Sequence, residues 1–307
     1  MSARESRAMH WLALLMVACT LPLIFVGGLV TTRDAGMSVP DWPTSYGYNM
    51  FLFPLSKMVG GIFYEHSHRL IGSLVGMLAL VLTLWVWLRE PRREVRLLAA
   101  AALVGVVIQG VLGGLRVVLV NADLAIVHAC MAQLFFCIAI ALALVTSHGW
   151  QKLRTAPPPA ASKLRGLAVA TTAAIYAQVI LGAFTRHTHT MTGAHIAGAV
   201  LVFVLMGWMV VEILTHRPSD RPLLQPAMTM MGLVLAQIVV GFSALVMRAT
   251  RDAEMPITPL QAVVPTIHVV LGALILGTSV VLTLRAWRMS SAGEQTSFVA
   301  DPMEARA

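Results

Sequence analysis

The sequence predicts an all-α integral membrane protein, with eight transmembrane helices arranged as two pseudo-symmetric four-helix bundles. Three observations predict it. Of 307 residues, 58% are hydrophobic and only 12% charged, against roughly 25% charged in soluble domains. Eight apolar stretches are each long enough to cross about 30 Å of hydrocarbon. The last four stretches repeat features of the first four. This composition excludes a disordered chain, a disulfide-stapled secreted module and an ordinary cytosolic enzyme. The formal charge of +8 does not indicate nucleic acid, because basic residues of a membrane protein gather in cytoplasmic loops beside anionic headgroups.

The spans fall at 9–32, 68–88, 97–119, 124–147, 165–185, 191–214, 223–247 and 263–287. Strand-like alternation is absent, and long apolar segments in lipid satisfy their backbone as helices. The first span follows Arg4 and Arg7 like a signal peptide, but its apolar run is too long for an h-region, so it reads as a retained helix. With the N-terminus cytoplasmic, 15 of the 22 basic residues lie inside and 7 outside, which favours both termini inside. A basic segment with Pro157, Pro158 and Pro159 reads as the linker between halves 1–150 and 151–289, and 290–307 as a polar cytoplasmic tail. The longest outer loop, from Arg33 to Ile62, contains PDWPTSYGY and FLFPL and is expected against the membrane surface. Cys19, Cys130 and Cys137 all lie in apolar runs. The last two are roughly 10 Å apart along one helix, too far for a bridge.

The odd helices share a pattern. Gln109, Gln178 and Gln237 are each followed four residues later by Gly113, Gly182 or Gly241, and then by Arg116, Arg186 or Arg248. Helix 1 lacks the Gln but has Gly27, Gly28 and Arg33. Packing alone accounts for this pattern as well as a functional role does. The even helices carry the sharper signal. His68, His128, His195 and His268 each lie in the first turns of an even helix, with Gly72, Ala132, Ala199 and Gly272 four residues on. That spacing shares a helical face and leaves a flat slot under an imidazole. One histidine near a helix end is more often a hydrogen-bonded interfacial residue than a ligand. Four in register point instead to iron in a porphyrin, which accepts imidazole on both axial faces. The natural pairs are His68 with His128 and His195 with His268. Zinc fits less well, since it prefers three or four ligands.

Three residues before these histidines stand Glu65, Ala125, Thr192 and Pro265. Only the first half has an acid there. Glu65 reads equally as a general base beside the slot or as a partner for Arg69, Lys57 or the helix dipole. The outer arginines Arg33, Arg69, Arg116, Arg186, Arg248 and Arg251 are candidates for propionates, with interfacial snorkelling as the plainer reading. His10, His148 and His216 are expected to be solvated, His187 and His189 to sit in a wet loop, and His66 to point about 200° away from the slot.

The run GGLVTTRDAGMSVPDWP, the element EHSHRLIG and the histidines on helices 4, 6 and 8 resemble the haem A synthase family, the class without cysteines in the first outer loop. The resemblance spans nearly all eight helices. It implies oxidation of the C8 methyl of haem O to a formyl group, giving haem A for cytochrome oxidase assembly. It implies haem O as substrate on His68 and His128, haem b as cofactor on His195 and His268, and Glu65 as the catalytic carboxylate. Implied partners are haem O synthase (the protohaem farnesyltransferase), oxidase assembly factors and membrane lipid, with no nucleic acid and a homo-oligomer left open. The expected location is the inner (plasma) membrane, with the haem sites toward the outer face. The competing classes are a di-haem cytochrome b electron carrier and a haem transporter or chaperone.

Overall fold

A computed structural model describes residues 3–121, 123–153, 160–252 and 254–297. Among them eight long helices stand: α1 Ala3–Thr32, α2 Gly60–Arg89, α3 Arg93–Val118, α4 Leu124–Thr146, α5 Ala160–His187, α6 Thr192–His216, α7 Arg221–Ala249 and α8 Pro259–Ser297. All eight are long and apolar enough to cross a membrane. Their outward faces are apolar, with Leu84, Trp87, Val107, Val204, Val239 and Phe242 exposed. In water such a surface would aggregate; in lipid it needs no cover.

The helices overrun the expected spans, because polar turns continue a helix beyond the hydrocarbon without any hydropathy signal. α2 begins at Gly60 rather than 68, which places Glu65, His66 and His68 inside its opening turns. α8 runs on to Ser297, where the tail was expected to be under way at 290. No proline follows Pro265 before Pro302 to stop it. The proline linker at 157–159 and the tail beyond 297 lie outside the described residues.

In the first half, α1 packs on α2 and α4, and α3 packs on the same two. In the second, α5, α6, α7 and α8 contact one another in the same cyclic order. Each set closes on its own core. One is built around Met9, Met16, Val75, Leu82, Phe135 and Leu142, the other around Met206, Met209, Ile213, Leu223, Met230 and Leu276. α4 is the innermost helix, with 61% of its most apolar window buried. It touches α5 and α8 across the seam, where Ile24, Phe136 and Ala273 form a small third cluster.

Polar contacts fix the ends. At the α2–α3 turn, buried Glu90 accepts from Arg92 Nε at 2.9 Å and Nη2 at 3.0 Å. The guanidinium holds the Glu90 carboxyl below its ordinary value, and the Arg92 pKa is raised in turn. Lys163 of α5 meets Glu212 of α6 at 2.7 Å, and His216 lies 3.4 Å from the same carboxylate. His10 is not solvated as expected: its Nδ1 lies 2.9 Å from Ala143 O of α4.

The outer end of the seam is bolted by one side chain. Arg186 of α5 donates through Nη2 to Gly28 O at 2.7 Å and Thr32 Oγ1 at 2.6 Å on α1, and through Nη1 to Pro265 O at 3.2 Å on α8. Gly28 makes room there, since a Cβ would stand 2.7 Å from Thr266 Cγ2 of α8. Arg186→Met strips these acceptors of their donor and should cost about 2–3 kcal/mol, the scale of hydrogen bonds to a charged group. Denaturant melts of the purified chain check this. An unchanged midpoint would mean that apolar packing alone holds the seam.

Candidate functional site

The structure brings the four repeated histidines together as two pairs. The ring centres of His68 and His128 are 6.2 Å apart with planes at 70°. Those of His195 and His268 are 6.2 Å apart with planes at 72°. Two imidazoles bound to one metal at about 2.0–2.1 Å place their ring centres roughly 6.4 Å apart, so the spacing within each pair matches that of two rings sharing one metal. Among the described residues no group of three or more His, Cys, Asp or Glu could hold a metal ion.

Each ring is seated on a glycine of the preceding odd helix. A Cβ at Gly27 would stand 2.8 Å from His68 Cε1, at Gly113 3.4 Å from His128 Cε1, at Gly182 3.0 Å from His195 Cε1 and at Gly241 2.6 Å from His268 Cε1. The paired glycines serve two surfaces at once. Gly27 takes an imidazole and Gly28 takes Thr266; Gly113 takes an imidazole and Gly114 takes the Trp42 ring. The glutamines of the same pattern brace the histidine-bearing turns. Gln109 Nε2 donates to His128 O at 3.1 Å and Gln178 Nε2 to His195 O at 2.6 Å, while Gln237 Nε2 lies 3.3 Å from His268 Nε2. The odd-helix pattern is therefore a packing device whose guest is the imidazole.

All four Nδ1 atoms are buried without a well-formed hydrogen bond. A main-chain carbonyl one turn before each glycine (Leu23, Gln109, Gln178 or Gln237) stands within reach of the ring, at looser geometry. A carbonyl facing Nδ1 keeps the proton there and leaves Nε2 for a metal.

The rest of the EHSHR element holds down the outer loop, a role that the sequence left open. Glu65 is 5% exposed. Its Oε2 accepts from Val39 N at 2.9 Å and its Oε1 from Arg69 Nη2 at 2.8 Å. Arg69 also donates to the carbonyls of Val39, Asp41 and Thr44. His66, turned away from the slot as expected, lies 3.1 Å from buried Ser45 Oγ and 4.8 Å from the Phe53 ring. Asp41 ties the loop tip. Burial works against its charge, but hydrogen bonds from Gly47 N, Thr44 Oγ1 and Tyr46 N outweigh this and hold its carboxyl below the ordinary value. Residues 33–59 thus form a folded roof over the first pair. In sequence only the Asp41-Trp42-Pro43 run hints at it.

The outer arginines divide. Arg69 is consumed by the loop and Arg186 by the seam, so the guanidiniums of both, expected as propionate candidates, are already engaged by protein oxygens. Arg33 donates to Ile257 O at 2.8 Å and Arg248 to Thr185 O at 3.2 Å. The Arg116 side chain makes no hydrogen bond or ion pair among the described residues, and its Nε is buried. His148 and His189 are exposed as expected, whereas His187 is half-buried.

Residues 10–194 match the family model described as "Cytochrome oxidase assembly protein". The chain belongs to that family. The match takes in the first histidine pair and stops just short of His195. Proteins named "Heme A synthase" are similar: one from Lysinibacillus sphaericus is 28% identical over 188 residues, 60% of this chain and 60% of the relative. One from Halalkalibacterium halodurans is 30% identical over 173 residues, 54% of this chain and 55% of the relative. The chain thus spans little more than half the length of these family members. One from Symbiobacterium thermophilum is 28% identical over 271 residues, 76% of this chain and 85% of the relative.

The glycine seats set a graded test. Gly241→Ala places a methyl 2.6 Å from His268 Cε1 and should abolish haem ligation by the second pair, while Gly113→Ala at 3.4 Å should leave the first nearly intact. Absorption spectra of the purified variants read both; equal effects would mean that the glycines do not position the rings.

Proposed function

We propose that the chain is a haem A synthase, a membrane oxidoreductase that converts the C8 methyl of haem O to a formyl group. The observation that carries this reading is the presence, in a member of this family, of two imidazole pairs whose ring centres are spaced to share one iron. The names of the relatives support it. The repeat divides the chain into a substrate half, 1–150, and a cofactor half, 151–289. In this reading His68 and His128 hold haem O, and His195 and His268 hold haem b. The folded roof above only the first pair supports that assignment, since a site that exchanges its ligand needs a cover. The proposed location is the inner membrane, with both termini cytoplasmic and both sites near the outer face. Haem O synthase and oxidase assembly factors are the proposed partners.

A farnesylated haem is strongly apolar, so a slot between lipid-embedded helices holds it without exposing its tail to water. The roof excludes water from the reacting edge. A haem on the second pair supplies a redox-active iron within the same molecule. Glu65 is the proposed catalytic carboxylate. Its oxygens accept from Arg69 and Val39 N, which fix its position against the roof. Each oxygen keeps a further lone pair for a proton or a substrate donor.

Expressed in cells that make haem O, the chain should yield a formyl porphyrin on chromatography of the extracted pigments; unchanged haem would indicate an electron carrier or haem carrier instead. Glu65→Gln should retain haem binding and lose formyl product about 100-fold or more, the usual scale of general acid–base catalysis. A normal yield from this variant would remove Glu65 from the chemistry.

A further inference from the structure

We propose that Arg116 forms a carboxylate anchor for the ligand of the first site. This rests on the reading that His68 and His128 bind a carboxylate-bearing tetrapyrrole. It adds which protein group selects the carboxylates.

The first ground is that Arg116 lacks partners. It ends α3 at the outer face, with Nε buried and no side-chain hydrogen bond or ion pair among the described residues. A guanidinium carries five donors, and leaving buried donors unpaired is costly. Four other outer arginines have found acceptors: Arg69 four, Arg186 three, and Arg33 and Arg248 one each; Arg251 is exposed. The second ground is position. Arg116 stands three residues beyond Gly113 on α3, and Gly113 is the seat of the His128 ring, where a Cβ would lie 3.4 Å from Cε1; His68 and His128 both sense its charge.

The third ground is shape. Gly36 of the roof lies directly against the Arg116 guanidinium, where a Cβ would overlap Nη2 and crowd Cζ. The loop thus leaves space for the guanidinium instead of offering it an acceptor. Two acids oppose an incoming carboxylate, Glu65 and Asp34, which both sense Arg116. Neither forms an ion pair with it. Glu65 is already held by Arg69 and Val39 N, and Asp34 is exposed. A planar carboxylate is the acceptor that matches the guanidinium fork. In the second half Arg186 spends its donors on Gly28, Thr32 and Pro265, so it is not free to serve as such an anchor there.

The test titrates the full chain in nanodiscs with ferric protoporphyrin and with its dimethyl ester, followed by Soret difference spectra. His128→Ala and His268→Ala assign the binding phases to the first and second sites. The expected result is that esterification weakens the His128-dependent phase about tenfold and leaves the His268-dependent phase unchanged, the scale of one lost charge-assisted contact. Arg116→Gln should weaken that phase for the free acid by a similar factor and leave the ester unaffected. Gly36→Val, which displaces the guanidinium while keeping its charge, should reproduce the acid-specific loss. Equal first-site affinity of wild-type chain for acid and ester would overturn the anchor, as would an Arg116→Gln loss that is the same for both ligands. Absence of any His128-dependent binding would overturn the parent reading, and the anchor with it.

Discussion

Everything in this molecule is arranged around an imidazole lying against a helix at a point where no side chain stands. Four times, a ring from an even helix rests on a glycine of the odd helix before it. The contact lets two helices approach closely, fixes where the ring points and brings a main-chain carbonyl near its Nδ1. Two such seats facing each other leave 6.2 Å between ring centres. The helix crossings, the glutamine braces and the bolt at Arg186 all serve to keep that spacing.

The two halves share this device and differ in what surrounds it. In the first, the opening turns of α2 fold the outer loop down as a roof through Glu65, His66 and Arg69, and Arg116 remains without a partner. In the second, the loop before α6 is short and Arg186 is absorbed by carbonyls of α1 and α8. A site whose neighbouring Arg186 is spent on protein oxygens suits a resident group. A roofed site with an unused cation suits a ligand that comes and goes. The asymmetry that the sequence shows at a single position, Glu65, extends through the whole outer face.

Much of this was legible in the sequence, and the limits have physical causes. The eight spans follow from apolar length, and the histidine pairs follow from four equivalent placements, because a repeat turns a weak signal into a strong one. The helix ends were misjudged because a turn outside the hydrocarbon needs no apolar residues. The odd-helix glycines were visible, but their guest was not, since nothing in a QxxxG pattern names the side chain opposite. The Glu65–Arg69 pair was one of the readings offered, but His10 gave no sign of its bond to Ala143, nor Arg69 and Arg186 of their main-chain partners. These groups meet main-chain carbonyls, and a carbonyl carries no sequence signature.

Electron paramagnetic resonance of the oxidised, haem-loaded chain tests the central claim, that each histidine pair shares one iron. The account predicts low-spin ferric signals of strongly anisotropic type, because the imidazole planes in both pairs are steeply inclined, at 70° and 72°. Substituting His128 should remove one signal and substituting His268 the other. A high-spin spectrum, or a low-spin signal that survives loss of both residues, would contradict it.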